Sequence, residues 1–392
     1  MHQPSATVII PAYRRTDSLC RALASLVSQE DCGYSYDIVV AGFRMSHTDV
    51  TRASDAAAGV RHRIVSVPGA AWNVSRARNV GIANSTGDVL ILLDADIVVG
   101  PGFLGEHLRC HSSIVCAVAG AVASFNPYLE EDRAAGIGAS LSDDCEGTRD
   151  AKALDARWDV IARCIASSDI ENTASQGSLA HLVEGQHIPL PWAFFWSGNV
   201  SIRRQLIGDH SLLFDESFKG WGAEDMEWGF RAWHSGVSML FNRHAIGMHL
   251  PHERDVKANT ASEQGNLCRL IGKHRCIAAE IVARYNDIEG NLRYGEIREA
   301  VGRAFGAPVG EWNCAISVDN AGESPRAVFG LRSEETCCRG LVSYPMLGVA
   351  TWYSDQELGC VQLTPRLKRL PEWLYQDVLR EAQRIGRKTV WL

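Results

Sequence analysis

The sequence predicts an α/β fold, a mainly parallel central sheet with helices on both faces. Three observations predict it. Over the first 125 residues, short β-rich runs alternate with amphipathic helical stretches, the spacing of βαβ crossovers. The run Val89-Leu90-Ile91-Leu92-Leu93 is apolar at every position, as a strand buried on both faces requires. That run ends abruptly in Asp94-Ala95-Asp96, where open α/β sheets place their ligands, outside the carboxyl ends of the strands.

The elements follow in order. "TVIIPAY" (7–13) reads as the first strand and "TDSLCRALASLVSQE" (16–30) as an amphipathic helix with Thr16 at its cap. "DIVVAGF" (37–43) and "RIVSVP" (63–68) are further strands, and "NVSRARNVGIANS" (73–85) is a helix that stops before a Gly-containing turn. After the strand 88–96, a helix starts just past Pro101, and "AVAGAVASF" (117–125) is a strand again. Residues 129–190 interrupt the pattern with one helix (155–168) and loop, and the sheet resumes at "WAFFWSGNVSIRR" (192–204). "VSMLFN" and "AIGMHL" are short strands, and helices are expected at 261–284, 296–305 and 371–385, with strand-like pieces between 314 and 362.

Charge and composition exclude whole classes. A net charge of −7 argues against a nucleic-acid partner, which demands a basic face. Residues 129–190 hold twelve Asp or Glu against five Arg or Lys, and the rest of the chain holds 34 of each, so the acidic excess sits in that segment. If it meets an acceptor, a cationic one is the electrostatic match. No apolar run reaches 18 residues, so no membrane span is expected. The N-terminal residues enter a strand without the pattern of a secretory leader, and twelve dispersed cysteines without CxxC pairs fit a reducing, cytoplasmic setting.

Three constellations carry chemistry. Asp94 and Asp96 supply hard oxygen ligands of the kind Mg²⁺ or Mn²⁺ prefers, and such an ion bridges to diphosphate oxygens. In "GWGAEDMEWGFR" (220–231), Glu224, Asp225 and Glu227 open a helix, where its dipole favours acids. Trp221, Trp228 and three glycines surround them, an aromatic platform for a sugar-like ligand. A carboxylate there can take a proton from an attacking hydroxyl. In "MHLPHERD" (248–255), His249 and His252 flank a proline at a strand end, at a spacing that lets two imidazoles reach one metal.

With these residues in place, the sequence resembles a known family. "TVIIPAYRR", "SRARNVGI" and "DVLILLDADIV" look like the nucleotide-sugar half of family 2 glycosyltransferases of GT-A fold. "WSGNVSIRR", "FKGWGAEDMEWGFRAWHSG" and "HLPH" are similar to the C-terminal half shared by β-1,4-galactosyltransferases and chondroitin-polymerase enzymes. The resemblance spans roughly residues 6–255. It implies a Rossmann-like GT-A domain with a helical insertion and a C-terminal α/β extension, divided as 1–128 (donor half), 129–190 (acidic insertion or acceptor lid), 191–257 (catalytic and acceptor half) and 258–392 (extension).

The resemblance also implies roles. Pro11, Ala12, Tyr13 and Arg14 would form the nucleotide loop, and Arg76, Arg78 and Asn79 would line the donor pocket. Asp94 would face the donor's ribose or sugar, Ala95 separates the two acids, and Asp96, His249 and His252 would hold Mn²⁺ or Mg²⁺. Trp196, Gly198, Asn199 and Trp221 would face the acceptor or its sugar, Glu224 would hold a hydroxyl, and Asp225 would be the general base. The chemistry implied is a single displacement with inversion, from a UDP-sugar first and a GDP- or dTDP-sugar otherwise, to an unidentified acceptor. One departure is evident. The family ends its second strand with Asp-Asp-Gly-Ser, and here Ala41-Gly42-Phe43 stand instead, which leaves Phe43 to stack on the base. Ala223, in place of a glycine, and Met226 are expected to be neutral changes.

Two other classes compete. A nucleotidyltransferase would want a Gly-rich, basic loop after the first strand, and "PAYRR" has no glycine. A non-catalytic nucleotide- or carbohydrate-binding module would be favoured by loss of the acid pair or the acidic loop, and both are intact. The chain after 290 shows no chemical motif and is free to complete the acceptor site or mediate homo-oligomerisation.

Overall fold

The computed structural model describes residues 4–124, 188–250, 255–306, 314–319, 325–332 and 342–392. They divide into two compact units, one built on the described parts of 1–186 and 194–259, the other on those of 187–193 and 260–392. The acidic segment up to residue 187, its expected helix at 155–168, and His252 lie outside the described residues.

The first unit is an eight-stranded sheet with helices packed on it. Its strands are β1 (Ala6–Ala12), β2 (Tyr36–Gly42), β3 (His62–Ser66), β4 (Val89–Leu93), β5 (Ile97–Val99), β6 (Cys116–Ser124), β7 (Asn199–Arg203) and β8 (Ser238–His249), in the order β3-β2-β1-β4-β7-β6-β8-β5. The first four are parallel, β7 runs antiparallel to both neighbours, and β6 pairs parallel with β8. Helices α1 (Thr16–Val27), α2 (His47–Ala56), α3 (Val74–Ala83) and α4 (Phe103–Ser113) fall among β1 to β6. Helices α5 (Arg204–Asp209) and α6 (Glu224–His234) fall between β7 and β8. All of β4 is buried, with Leu90 and Leu92 in one core cluster and Val89, Ile91 and Leu93 in another, which is why its sequence does not alternate.

Three local expectations change. The stretch 192–204 is strand only over β7, after a 3₁₀ turn at Pro191–Phe194. The two short strands at 237–250 are one strand, β8, whose register against β6 jumps between Gly120↔Asn242 and Ala121↔Ile246. That irregularity lets β8 turn onto β5, setting Ile97 opposite His249. Helix α2 is an addition. It has a single buried residue, Ala53, so it lacks an apolar stripe, and a capping box formed by Ser46 and Asp49 marks its start.

The second unit holds a five-stranded sheet of β9 (Ala315–Asp319), β10 (Arg326–Leu331), β11 (Val342–Tyr344), β12 (Cys360–Leu363) and β13 (Thr389–Trp391), ordered β11-β9-β10-β12-β13. Helices α7 (Val256–His274), α8 (Ile277–Phe305, kinked at Asn286) and α9 (Glu372–Ile385) complete it. The single helix expected at 261–284 is broken at Arg275, whose φ is +46°. Glu280 on α8 accepts hydrogen bonds from four consecutive amides, Leu347 to Ala350, tying that loop to the helix. No described helix is long and apolar enough to cross a membrane.

Candidate active site

The site lies at the carboxyl edge of β1 and β4. A tight turn follows β4, closed by the Ile97 amide donating to the Asp94 carbonyl (3.1 Å), so both acids of the pair stay at this edge with Ala95 between them. The Asp94 amide donates to the Gly198 carbonyl at 3.1 Å. A Cβ on residue 198 would sit 3.1 Å from the Asp94 carboxylate and 3.0 Å from Ile97, so a larger residue there would press on the acid and shift it.

Arg78 is the centre of the inner site. Its side chain is 3% exposed, and its two terminal nitrogens donate to Asp94 Oδ1 (3.1 Å) and Glu224 Oε1 (2.8 Å). The guanidinium carbon stands 5.3 Å from the Phe214 ring centre. Arg78 thus clamps the end of β4 to the start of α6. Expected to line the donor pocket, Arg78 has both terminal nitrogens on carboxylates, one of them the partly exposed Asp94. Glu224 is buried, and its second oxygen, like Arg78 Nε and Ser197 Oγ, has no hydrogen-bond partner among the described residues.

Asp225 stands next along α6. Its Oδ2 accepts from the Ser197 amide (3.3 Å) and its Oδ1 from the Met226 amide (2.8 Å). Burial pushes its carboxyl up to about 7, and the Glu224 charge adds to the shift while Arg78 and the two amides oppose it. A carboxyl poised there can hold or release a proton near neutral pH.

The acidic loop is set by its backbone. Gly220, Gly222 and Ala223 all have left-handed φ, +75°, +96° and +66°. At Ala223 this conformation costs about 1 kcal/mol relative to glycine, so the change from glycine is not neutral. The loop presents Trp221 half exposed, at 51%. Trp228, the other half of the expected platform, is instead core: it is fully buried, stacks on Phe214 at 4.5 Å and donates to the Leu212 carbonyl.

The outer rim holds Asp96. Its Oδ2 accepts from Arg15 Nη1 at 2.8 Å, and its Oδ1 lies 3.6 Å from His249 Nε2. The β5–β8 pairing brings the histidine there, and the Leu250 amide donates to the Asp96 carbonyl. Among the described residues, no group of three or more His, Cys, Asp or Glu gathers to hold a metal; Asp96 and His249 come together as a pair.

The loop expected to meet the nucleotide extends from β1. Pro11 and Ala12 are buried at its end, and Tyr13 stacks on Trp72 (5.3 Å, 21°) with Arg14 4.8 Å from the Tyr13 ring. Phe43 lies beneath at 2% exposure, edge-on to Tyr13, so it supports the aromatic pair and is not free to stack on a base.

Two further expected residues have structural partners. Asn79 accepts from the Phe214 amide and donates to the Phe214 carbonyl and Glu216, while Arg76 Nε donates to Glu216 at 2.8 Å. Asn73 donates to the Glu216 and Phe218 carbonyls. The spacing 73, 76, 79 puts the three on one face of α3, where they dock the loop 214–218. Asn199 is buried. Its amide nitrogen donates to the Ala121 and Ala245 carbonyls and its oxygen faces His107 Nε2 (2.8 Å), so it serves the core and not the acceptor. His107, Ser201 and His111 continue that chain, and burial holds the two imidazoles down to about 4 and about 3, hence neutral. Trp196 is half buried and edge-on to Phe194. The sequence reading passed over Arg15, Ser197, Glu216 and Trp72.

Comparison with known proteins gives the following similarities. Residues 7–127 match the model "Glycosyl transferase family 2". Validoxylamine A glucosyltransferase of Streptomyces hygroscopicus subsp. limoneus is 28% identical over 373 residues, covering 91% of this chain and 77% of that protein. Chondroitin synthase of Escherichia coli is 22% identical over 251 residues, 62% of this chain and 34% of that protein. The solved structure of S. aureus TarS 1-349 with UDP-GlcNAc is similar at a TM-score of 0.46 and 13% identity, covering 77% of this chain and 73% of that one. The chain is a glycosyltransferase whose residues 7–127 match the family 2 model.

Proposed function

We propose that the chain transfers a sugar, glucose by analogy with its validoxylamine A glucosyltransferase relative, from a nucleotide-sugar donor to an acceptor hydroxyl by single displacement with inversion. The observation that carries this reading is Asp225, beside the Arg78-bridged acids at the sheet's carboxyl edge, with its carboxyl raised to about 7. Asp225 accepts the acceptor's hydroxyl proton as the oxygen bonds to the anomeric carbon from the face opposite the nucleotide. The bond from that carbon to the diphosphate oxygen breaks, and its electrons leave with the nucleoside diphosphate. Glu224 is fixed by Arg78 and holds a substrate hydroxyl, the Ser197 and Met226 amides orient Asp225, and Trp221 offers an exposed ring to a sugar face.

A divalent ion fits the rim. Asp96 and His249 offer carboxylate oxygen and imidazole nitrogen, a donor set suited to Mn²⁺, and His252 would add to it. When bound, such an ion supplies charge neutralisation for the departing diphosphate. The acidic excess of 129–190 favours an acceptor that carries positive charge.

The test is release of nucleoside diphosphate from UDP-, GDP- and dTDP-glucose with Mn²⁺ and amine-bearing polyol acceptors, followed across pH. For the active donor, kcat/KM should rise through about 7 as Asp225 loses its proton. Asp225→Asn should lower kcat by roughly 10²–10⁴ and abolish that limb. A variant that keeps full turnover would sink the assignment of the base.

A further inference from the structure

The Arg15–Asp96 pair sets a side chain of this protein in competition with the metal that the proposed function requires, and the inference rests on that reading. One carboxylate oxygen of Asp96 is 2.8 Å from Arg15, and the other faces His249 at 3.6 Å. A divalent ion drawing on Asp96 and His249 needs the carboxylate that Arg15 engages. The arginine is built to exchange: its side chain is 44% exposed, against 13% for Asp96, whereas Arg78 is 3% exposed between two acids. Water around the guanidinium screens the pair and weakens it, although Asp96 itself is largely buried.

The backbone points the same way. Arg14 and Arg15 both stand in the left-handed region, with φ of +56° and +52°. Two consecutive non-glycine residues there cost about 1–2 kcal/mol each. Arg15 also occupies the N-cap of α1, a position where Ser, Asp or Asn would cap the helix, and its side chain makes no cap hydrogen bond. The chain thus forgoes two ordinary stabilising choices to hold two guanidinium groups on the loop that leaves β1, beside the acid pair. Strain of this sort persists where function requires the placement.

We propose that Arg15 is a placeholder cation. It pairs with Asp96 until a divalent ion takes the carboxylate, and it then turns to the oxygens of the donor diphosphate, for which a guanidinium is suited. One side chain would in this way couple metal binding to nucleotide binding, and the coupling is reciprocal. Metal alone binds against the arginine, and metal with diphosphate binds with its help.

Removing Arg15 should therefore act with opposite signs in two conditions. Mn²⁺ binding to the full chain is followed by the electron paramagnetic resonance signal of free Mn²⁺, first alone and then with saturating UDP or GDP. In Arg15→Ala, Mn²⁺ alone should bind about three-fold more tightly, the competing pair being gone. The nucleoside diphosphate, titrated at fixed Mn²⁺, should bind about tenfold more weakly. Arg15→Lys should recover the competition and only part of the diphosphate affinity, since an ammonium lacks the planar fork. Unchanged Mn²⁺ affinity in Arg15→Ala, with the wild type binding normally, overturns the placeholder role while leaving the metal-dependent reading intact. A folded wild type that binds no Mn²⁺ with or without nucleotide overturns both.

Discussion

Asp94 and Asp96 stand two residues apart on one turn, yet the regions they belong to differ in kind. Around Asp94, one nearly dry arginine is shared with Glu224, so three charged groups from β4, α3 and α6 form one inner clamp. Around Asp96, the arginine is half exposed and an imidazole shares the carboxylate. The contrast lies in the arginines: water reaches Arg15 and leaves it exchangeable although Asp96 is the more buried of the two acids, while Arg78 is fixed by the cost of stranding a buried charge. On the proposed reading, the two acids of this short motif do two jobs: Asp94 helps build the site, and Asp96 exchanges its arginine for the metal.

The contrast can be broken at its two arginines. Arg78→Ala leaves Glu224 buried without its cation and should destabilise the chain by about 3 kcal/mol, read from urea unfolding midpoints. Arg15→Ala should shift the same midpoint by less than about 1 kcal/mol. Equal losses would mean that the inner and outer regions do not differ as described.

A smaller effect sharpens the inner region. The folded chain holds the Asp225 proton more tightly than the unfolded chain does, because burial raises that carboxyl from 3.8 to about 7. The stability this contributes is complete below the ordinary carboxylate value and is lost as pH rises through about 7. Asp225→Asn has no such proton to lose. Its advantage over the wild type should be small at roughly pH 5 and larger at roughly pH 8 in paired urea titrations. An advantage independent of pH would show that Asp225 is not the raised group.

The inner and outer regions were not equally legible in the sequence. The strands β1, β2 and β4 declare themselves because burial on both faces removes alternation, and the turn chemistry after β4 ends in the acids. Asp94, Asp96, Glu224 and Asp225 stand at element ends where composition alone marks them. Partnership was harder to read. Phe43, Asn199 and Trp228 have chemistry that suits a ligand, and their burial depends on how β2, β7 and α6 pack, which no local pattern carries. Arg78 and Asn79 sit in one motif and face different partners because adjacent helical positions diverge by about 100°. Helix α2 could have been found from its capping box, S-x-x-D at Ser46–Asp49, though it has almost no apolar face.

The loop before α6 offers the smallest test, and one where sequence and structure disagree on sign. By composition Ala223 is a neutral change from glycine, but its φ of +66° puts a Cβ in the left-handed region just ahead of Glu224 and Asp225. Ala223→Gly removes that strain, about 1 kcal/mol, against the extra backbone entropy glycine loses on folding, about half as much. The net expectation is a gain of roughly 0.5 kcal/mol in a urea titration. Activity tells what the strain is for. If the alanine serves to hold Glu224 and Asp225 in place, the stabilised variant should lose kcat while the acid limb near 7 stays where it is, because the group that titrates is untouched and only its aim has loosened. If kcat is unchanged, the left-handed alanine is strain without a catalytic return, and the position of the two acids is set by Arg78 and the Ser197 and Met226 amides.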